Sequence, residues 1–159
     1  MKVGRVTLSD RAAQGVYEDR SGPEIDTLVK RAFPKESIEL VTRLLPDDQS
    51  RIESALIELV KIECCDLVIT TGGTGPSKRD HTPEATLSVI TKELPGFGEL
   101  VRMESYKKVP TSILSRSTAG IREQTLIINL PGNPKAIGEC LPLLIPAIKE
   151  CLKHLAGED

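Results

Sequence analysis

The run from Asp66 to Thr71 carries Leu67, Val68 and Ile69 without interruption and empties into Gly72-Gly73-Thr74-Gly75. No other junction in the chain constrains its fold as much. A short stretch that is apolar on both alternations suits a central strand of a parallel sheet, whose two faces are both covered by helices. Glycine admits positive φ and lets backbone approach a ligand with no side chain between them. Amides freed in such a turn form a concave nest for anions such as phosphate. The turn matches neither common nucleotide fingerprint. A P-loop needs Gly-Lys-Ser/Thr where Gly75-Pro76-Ser77 stands, and a dinucleotide fingerprint needs glycine or alanine at Lys78.

The remaining elements are read from periodicity. Val3 to Ser9 is a first strand, and a polar loop from Ser9 to Gly22 follows it. A helix then starts at Ser21 or Gly22, with Pro23 in its first turn and Ile25, Leu28, Val29 and Ala32 at helical spacing. Ile38 to Leu45 is a second strand, with Ile38, Leu40, Thr42 and Leu44 on one face. Pro46-Asp47-Asp48 opens a helix whose stripe is Ile52, Ala55, Leu56, Leu59, Val60 and Ile62. After the glycine turn, Thr82 caps a helix with Pro83 first, running toward Pro95-Gly96. A further helix covers about Phe97 to Lys108, Thr111 to Arg122 is loop or short strand, and Thr125 to Leu130 is a strand. The last helix carries Ile137, Cys140, Leu141, Leu144 and Ile148, and Pro142 and Pro146 are expected to kink or divide it.

This alternation predicts a three-layer α/β/α fold with a mostly parallel, doubly wound sheet. In such folds ligands lie beyond the carboxyl ends of the strands. Every unusual cluster sits at such an end: Ser9-Asp10-Arg11, Asp47-Asp48, Thr71 to Asp80, and Pro131 to Lys135. One site assembled from four loops is the expectation.

Composition narrows the function. The 159 residues suit one domain, 1–159. A net charge of −2 and four aromatic residues with no Trp argue against nucleic-acid binding. No apolar segment approaches membrane-spanning length, and no export signal is read, so a cytoplasmic protein with reduced thiols is expected. Cys64, Cys65, Cys140 and Cys151 lack Cys-x-x-Cys spacing, so no zinc site is expected.

The clusters together resemble the molybdopterin adenylyltransferases, the MogA-like proteins of bacteria related to gephyrin G domains. The residues that carry the resemblance are Ser9-Asp10-Arg11 with Gly15 and Asp19, Leu45-Pro46-Asp47, Thr70 to Pro76 with Arg79-Asp80, Thr82 to Thr86, Pro95 to Glu99, Leu114-Ser115-Arg116, and Asn129 to Ala136. They span essentially the whole chain. The resemblance implies that ATP and molybdopterin react to give adenylyl-molybdopterin and pyrophosphate. It also implies Mg²⁺ dependence, a homotrimer, and a molybdotransferase partner acting downstream.

In that reaction both reactants are anionic, so carboxylates help by holding Mg²⁺ rather than by touching phosphate. Asp47 and Asp80 match the family's acidic positions and are the expected catalytic and Mg²⁺-holding pair. Each has a plainer alternative: Asp47 as a helix cap, Asp80 as a loop residue paired with Arg79. Asp48 is read as a solvated charge at the helix start. Thr71, Gly72, Gly73, Thr74 and Gly75 are expected to contact phosphate. Ser9, Asp10 and Arg11 are either turn residues or phosphate ligands, with Arg11 able to bind bidentately. Ser115 is a candidate hydrogen-bond donor to pterin or phosphate, and Glu99 either caps its helix or touches the ligand. Pro131, Gly132, Asn133 and Pro134 form a rigid turn, a pocket wall, or both. His81 and His154 are assigned no metal. A scaffold that presents molybdopterin without chemistry is the alternative function.

Overall fold

The computed structural model describes residues 1–158. In its sheet β1 (Lys2–Leu8) runs parallel to β2 (Glu39–Leu45) on one side and to β3 (Leu67–Thr71) on the other. Beyond β3 lies parallel β6 (Thr125–Leu130), then antiparallel β5 (Ala119–Arg122) and β4 (Lys92–Glu93), giving the order β2-β1-β3-β6-β5-β4. Register places Leu8 beside Leu45, Thr7 beside Thr71, and Thr71 beside Leu130, so four parallel strands end at one level. The chain leaves β1 toward β2 and returns on the opposite side as β3. Loops after β1 and β3 therefore part around a crevice, the usual place for a ligand in such sheets.

The two-residue period of a strand sends alternate side chains to opposite layers. Val3, Leu67, Ile69, Leu126, Ile128 and Leu130 join one cluster with Ile25 and Val29 of α2 (Ser21–Ala32) and Ile137, Leu141 and Leu144 of α6 (Pro134–Ala156). Val6, Leu8, Val68 and Ile127 join the other, with Ile52, Leu56 and Leu59 of α3 (Gln49–Lys61) and Ala85 and Val89 of α4 (Thr82–Val89). The expected three-layer, doubly wound arrangement is observed. Fully burying one such aliphatic side chain contributes about 1.5–3 kcal/mol, against about 1 kcal/mol for a good N-cap. Hence α2, α4 and α5 (Gly96–Tyr106) form although none has a side-chain cap bond.

Several local expectations are corrected. The loop after β1 contains a short helix, α1 (Asp10–Ala13), capped by Ser9 Oγ accepting from the Ala12 amide. Neither Ser21 nor Gly22 caps α2; Asp19 accepts from the Gly22 amide, while Ser21 donates to the Gly132 carbonyl. Asp48, read as a solvated charge, is the α3 N-cap and accepts from the Arg51 amide. Thr82 does not cap α4, because its hydroxyl donates to the Gly72 carbonyl. Helix α4 stops at Val89 rather than near Pro95, since Lys92 and Glu93 pair with β5. Pro142 and Pro146 lie inside α6, which continues unbroken past both. Residues Pro110–Leu114 form a 3₁₀ turn and Ala119–Arg122 a strand, which resolves the ambiguous stretch. Leu44 and Ile62 are exposed, because β2 is an edge strand and Ile62 lies past the end of α3. Among the described residues no helix is long and apolar enough to cross a membrane.

Candidate functional site

At the end of β3, Gly72 and Gly73 adopt φ of 95° and 64°. A Cβ on Gly72 would stand 2.3 Å from the Leu8 carbonyl oxygen, so only glycine allows the β1 and β3 ends to touch here. The Gly72 amide donates to the Leu130 carbonyl (3.2 Å), which ties the same turn to β6. Thr82 closes it from α4, its hydroxyl on the Gly72 carbonyl (2.8 Å) and its amide on the Gly73 carbonyl (3.1 Å). Beyond that anchor, the amides of Gly73, Thr74 and Gly75 donate to no acceptor among the described residues. Such a set of unengaged amides is the feature an anion nest requires.

Two carboxylates border this nest. Asp47 and Asp10 exchange bonds: the Asp10 amide donates to Asp47 Oδ2 (3.0 Å) and the Asp47 amide to Asp10 Oδ1 (2.9 Å). The other oxygen, Asp47 Oδ1, is buried with no partner, and a Cβ on Gly73 would lie 3.2 Å from it. A buried polar atom left unsatisfied is costly, so one in this position calls for a ligand. Burial raises the Asp47 pKa above the ordinary carboxylate value. The negative charges of Asp10 and Asp80 reinforce the rise, while the Asp10 amide and Arg79 oppose it. Asp80 Oδ2 accepts from the Ser77 amide (2.9 Å) and lies 2.9 Å from where a Gly75 Cβ would be. Asp47 and Asp80 thus converge on opposite ends of the Gly73–Gly75 turn. As Asp48 takes the cap of α3, Asp47 is free of that duty.

The other candidates divide. Asp10 is engaged by Arg79 through Nε and Nη2, both at 2.9 Å, so Arg79 pairs with Asp10 and not with Asp80. The Asp47 amide, ahead of Arg79, holds the Asp10 carboxyl below its usual range. Arg11 lies over the Tyr17 ring (5.4 Å), whose hydroxyl meets Ser9 Oγ at 2.7 Å. Thr71 is buried and donates to the Pro131 carbonyl (2.8 Å), a bond between strand ends. Asn133 caps α6 by accepting from the Lys135 amide, and Pro134 follows in its first turn. Gly132 packs toward Gly72, where an added Cβ would come within 3.3 Å of its Cα. Ser115 Oγ meets Ser117 Oγ at 3.0 Å. Glu99 is exposed in the first turn of α5 and makes no hydrogen bond or ion pair with the other candidates among the described residues.

Among the described residues no group of three or more His, Cys, Asp or Glu is placed to hold a metal. Two carboxylates suffice for Mg²⁺, which keeps several waters and takes substrate phosphates as ligands. The orphaned Asp47 oxygen and the nearby Asp80 fit that chemistry.

The family described as a probable molybdopterin binding domain matches residues 4–150. The chain belongs to that family. It is 50% identical over 155 residues to the molybdopterin adenylyltransferase of Helicobacter pylori (strain ATCC 700392 / 26695), covering 98% of this chain and 88% of the relative. It is 52% identical over 141 residues to the molybdopterin adenylyltransferase of Escherichia coli (strain K12), covering 89% and 72%. Among solved structures it superimposes on MogA with a TM-score of 0.87 at 34% identity, covering 98% and 99% of the two chains.

Three groups that shape the crevice in this member of the family escape a reading of the sequence. Thr82 reads as a cap in the sequence and instead bonds the Gly72 carbonyl. Asn129 is buried within β6, its amide donating to Thr70 Oγ1 (3.0 Å) and Thr86 Oγ1 (2.8 Å). Arg116 grips the loop that carries Asp80. The signal for Asn129 was present, a lone amide in an otherwise apolar strand. None marked Arg116 beyond its place in the Leu114-Ser115-Arg116 cluster.

Proposed function

We propose that this chain transfers AMP from ATP to molybdopterin, releasing pyrophosphate, as a step of molybdenum cofactor biosynthesis. Half the residues are shared with molybdopterin adenylyltransferases over almost the whole chain, which supports the enzyme class. The observation that carries the site assignment is the partnerless Asp47 Oδ1 facing the open Gly73–Gly75 amides.

The terminal phosphate oxygen of molybdopterin attacks the α-phosphorus of ATP. A bond forms between them, the bond from that phosphorus to the β-bridging oxygen breaks, and pyrophosphate leaves. The nucleophile is already ionised, so no general base is needed, and the task is to bring anions together and steady the charge. The amides of Gly73, Thr74 and Gly75 receive phosphate oxygens without adding negative charge. Asp47 and Asp80 would hold Mg²⁺, which when bound neutralises phosphate charge and makes the α-phosphorus more electrophilic. Asp10 keeps Asp47 in place through the paired amide bonds, and Arg79 offsets part of the accumulated negative charge. Ser9, Arg11, Ser115 and the Pro131–Pro134 turn line the crevice where the two substrates lie.

The chain acts as one domain, as a cytoplasmic homotrimer, and hands its product to a molybdotransferase. Light scattering checks the trimer, and a stable monomer at working concentration contradicts it. The activity test incubates the protein with ATP, molybdopterin and Mg²⁺ and measures pyrophosphate. Asp80→Asn should lose turnover about 100-fold or more, the scale seen when a group that steadies developing charge is removed. Full activity in Asp80→Asn, or substrate binding with no pyrophosphate under any divalent cation, would overturn the proposal.

A further inference from the structure

The segment between the 3₁₀ turn and β5 carries Arg116, whose guanidinium spans the loop that bears Asp80. Its Nε donates to the Gly75 carbonyl and its Nη2 to the Asp80 carbonyl, both at 2.9 Å. Gly75 and Asp80 are the two ends of a six-residue loop that belongs to no helix or strand. One planar group therefore bridges its mouth. The main-chain amide of Arg116 also donates to the Thr74 carbonyl (2.8 Å), so the same residue borders the amide nest. Glu84, in the first turn of α4, pairs with the guanidinium through both carboxylate oxygens. That pairing keeps the Glu84 carboxyl below its usual range. Inside the loop, Ser77 donates to Asp80 Oδ2 and Asp80 to the Ser77 carbonyl, so the carboxylate is aimed by the loop's own closure.

We infer that Arg116 is a positioning residue for the adenylyl transfer: its rigid fork sets the distance between the Gly73–Gly75 amides and the Asp80 carboxylate. The inference rests on the proposed adenylyltransferase reading. Its chemical basis is the guanidinium itself, which presents several N–H donors in fixed planar directions. Lysine has the same charge on a single nitrogen and cannot hold two carbonyls and a carboxylate in one plane. If charge alone mattered, lysine would serve.

The test uses the full chain as wild type, Arg116→Lys and Arg116→Ala, with folding checked by circular dichroism. Both variants should lose ~10- to 100-fold in kcat, the loss that misplacing a reacting group brings. The KM for ATP should change by less than ~3-fold in Arg116→Lys, since the amides that meet the phosphates remain in place. Amide hydrogen exchange, read without substrate, should be ~10-fold faster at Ser77 and Asp80 in Arg116→Lys than in wild type, reflecting local opening. Wild-type kcat in Arg116→Lys or Arg116→Ala, or unchanged exchange at those two amides, overturns the inference. If Arg116→Ala does not fold, Arg116→Lys decides alone. Absence of pyrophosphate from the wild type would strike the adenylyltransferase reading instead, and the exchange comparison would still judge the loop.

Discussion

Replacing Gly72 by alanine should separate the cost of building the crevice from the chemistry done there. At φ 95° an L-residue is strained by about 1–2 kcal/mol. The new Cβ would also lie 2.3 Å from the Leu8 carbonyl oxygen, a backbone atom that cannot rotate away. Relief requires β1 and β3 to part near their ends, which loosens the Gly72–Leu130 bond and the Thr82 bond to the Gly72 carbonyl. At about 0.5–1.5 kcal/mol for each of these two hydrogen bonds, the full effect is about 2–5 kcal/mol once strain is included. For a chain of this size that lowers Tm by roughly 4–20 °C. Gly15→Ala is the control: its φ is 73°, but nothing lies within 4 Å of the added Cβ, so it should cost only the strain, about 1–2 kcal/mol. Urea unfolding followed by circular dichroism measures both variants. A Gly72→Ala protein no less stable than Gly15→Ala would refute the claim that the strand ends touch through this residue.

Other outcomes follow from the same structure. Burial raises the Asp47 pKa, so the folded state favours the protonated form, and stability falls as pH rises from the unfolded carboxylate value through the raised one. Asp47→Asn should accordingly be more stable than wild type near neutrality, with the gain shrinking as pH falls toward the unfolded carboxylate value near 3.8. Thermal melts across pH without added divalent cation check this; a gain that grows on acidification contradicts it. Asn129→Ala should cost ~2–3 kcal/mol by leaving Thr70, Thr86 and the Thr118 amide short of partners, and urea unfolding within ~0.5 kcal/mol of wild type would count against it. Cys64 is exposed, whereas burial pushes the Cys65 thiol up to about 11. Mass spectrometry after iodoacetamide at pH 8 should find Cys64 labelled well before Cys65, and equal rates would show that this burial is wrong.

What the sequence revealed depended on whether local chemistry or distant contact decided the outcome. Thr125 to Leu130 was readable to the residue, because a strand apolar but for Thr125 and Asn129 ends in Pro131-Gly132 with no competing signal. The meeting of four loops was readable as well, since parallel strands place their carboxyl ends at one level. Lys92 and Glu93 read as helix because both favour it in isolation, yet pairing with Ile121 and Gly120 makes them strand. Ser9 and Ala12 stand at capping distance, but the polar stretch from Ser9 to Gly22 reads as loop. Thr82 looks like an N-cap at its position and is one side chain among many that can bond a carbonyl instead. Asp10 and Arg79 are separated by 69 residues, so no pattern along the chain joins them.

The exchange of amide bonds between Asp10 and Asp47 carries a consequence for how this fold can vary. Each residue stands two positions beyond the end of its own strand, and each satisfies the other's backbone, so the pair works like a clasp cut to one length. Adding or removing a residue between Leu8 and Asp10, or between Leu45 and Asp47, would slide one half past the other. Changes of size in these turns must then be made jointly or moved outward, which directs insertions to the stretch from Gln14 to Glu18.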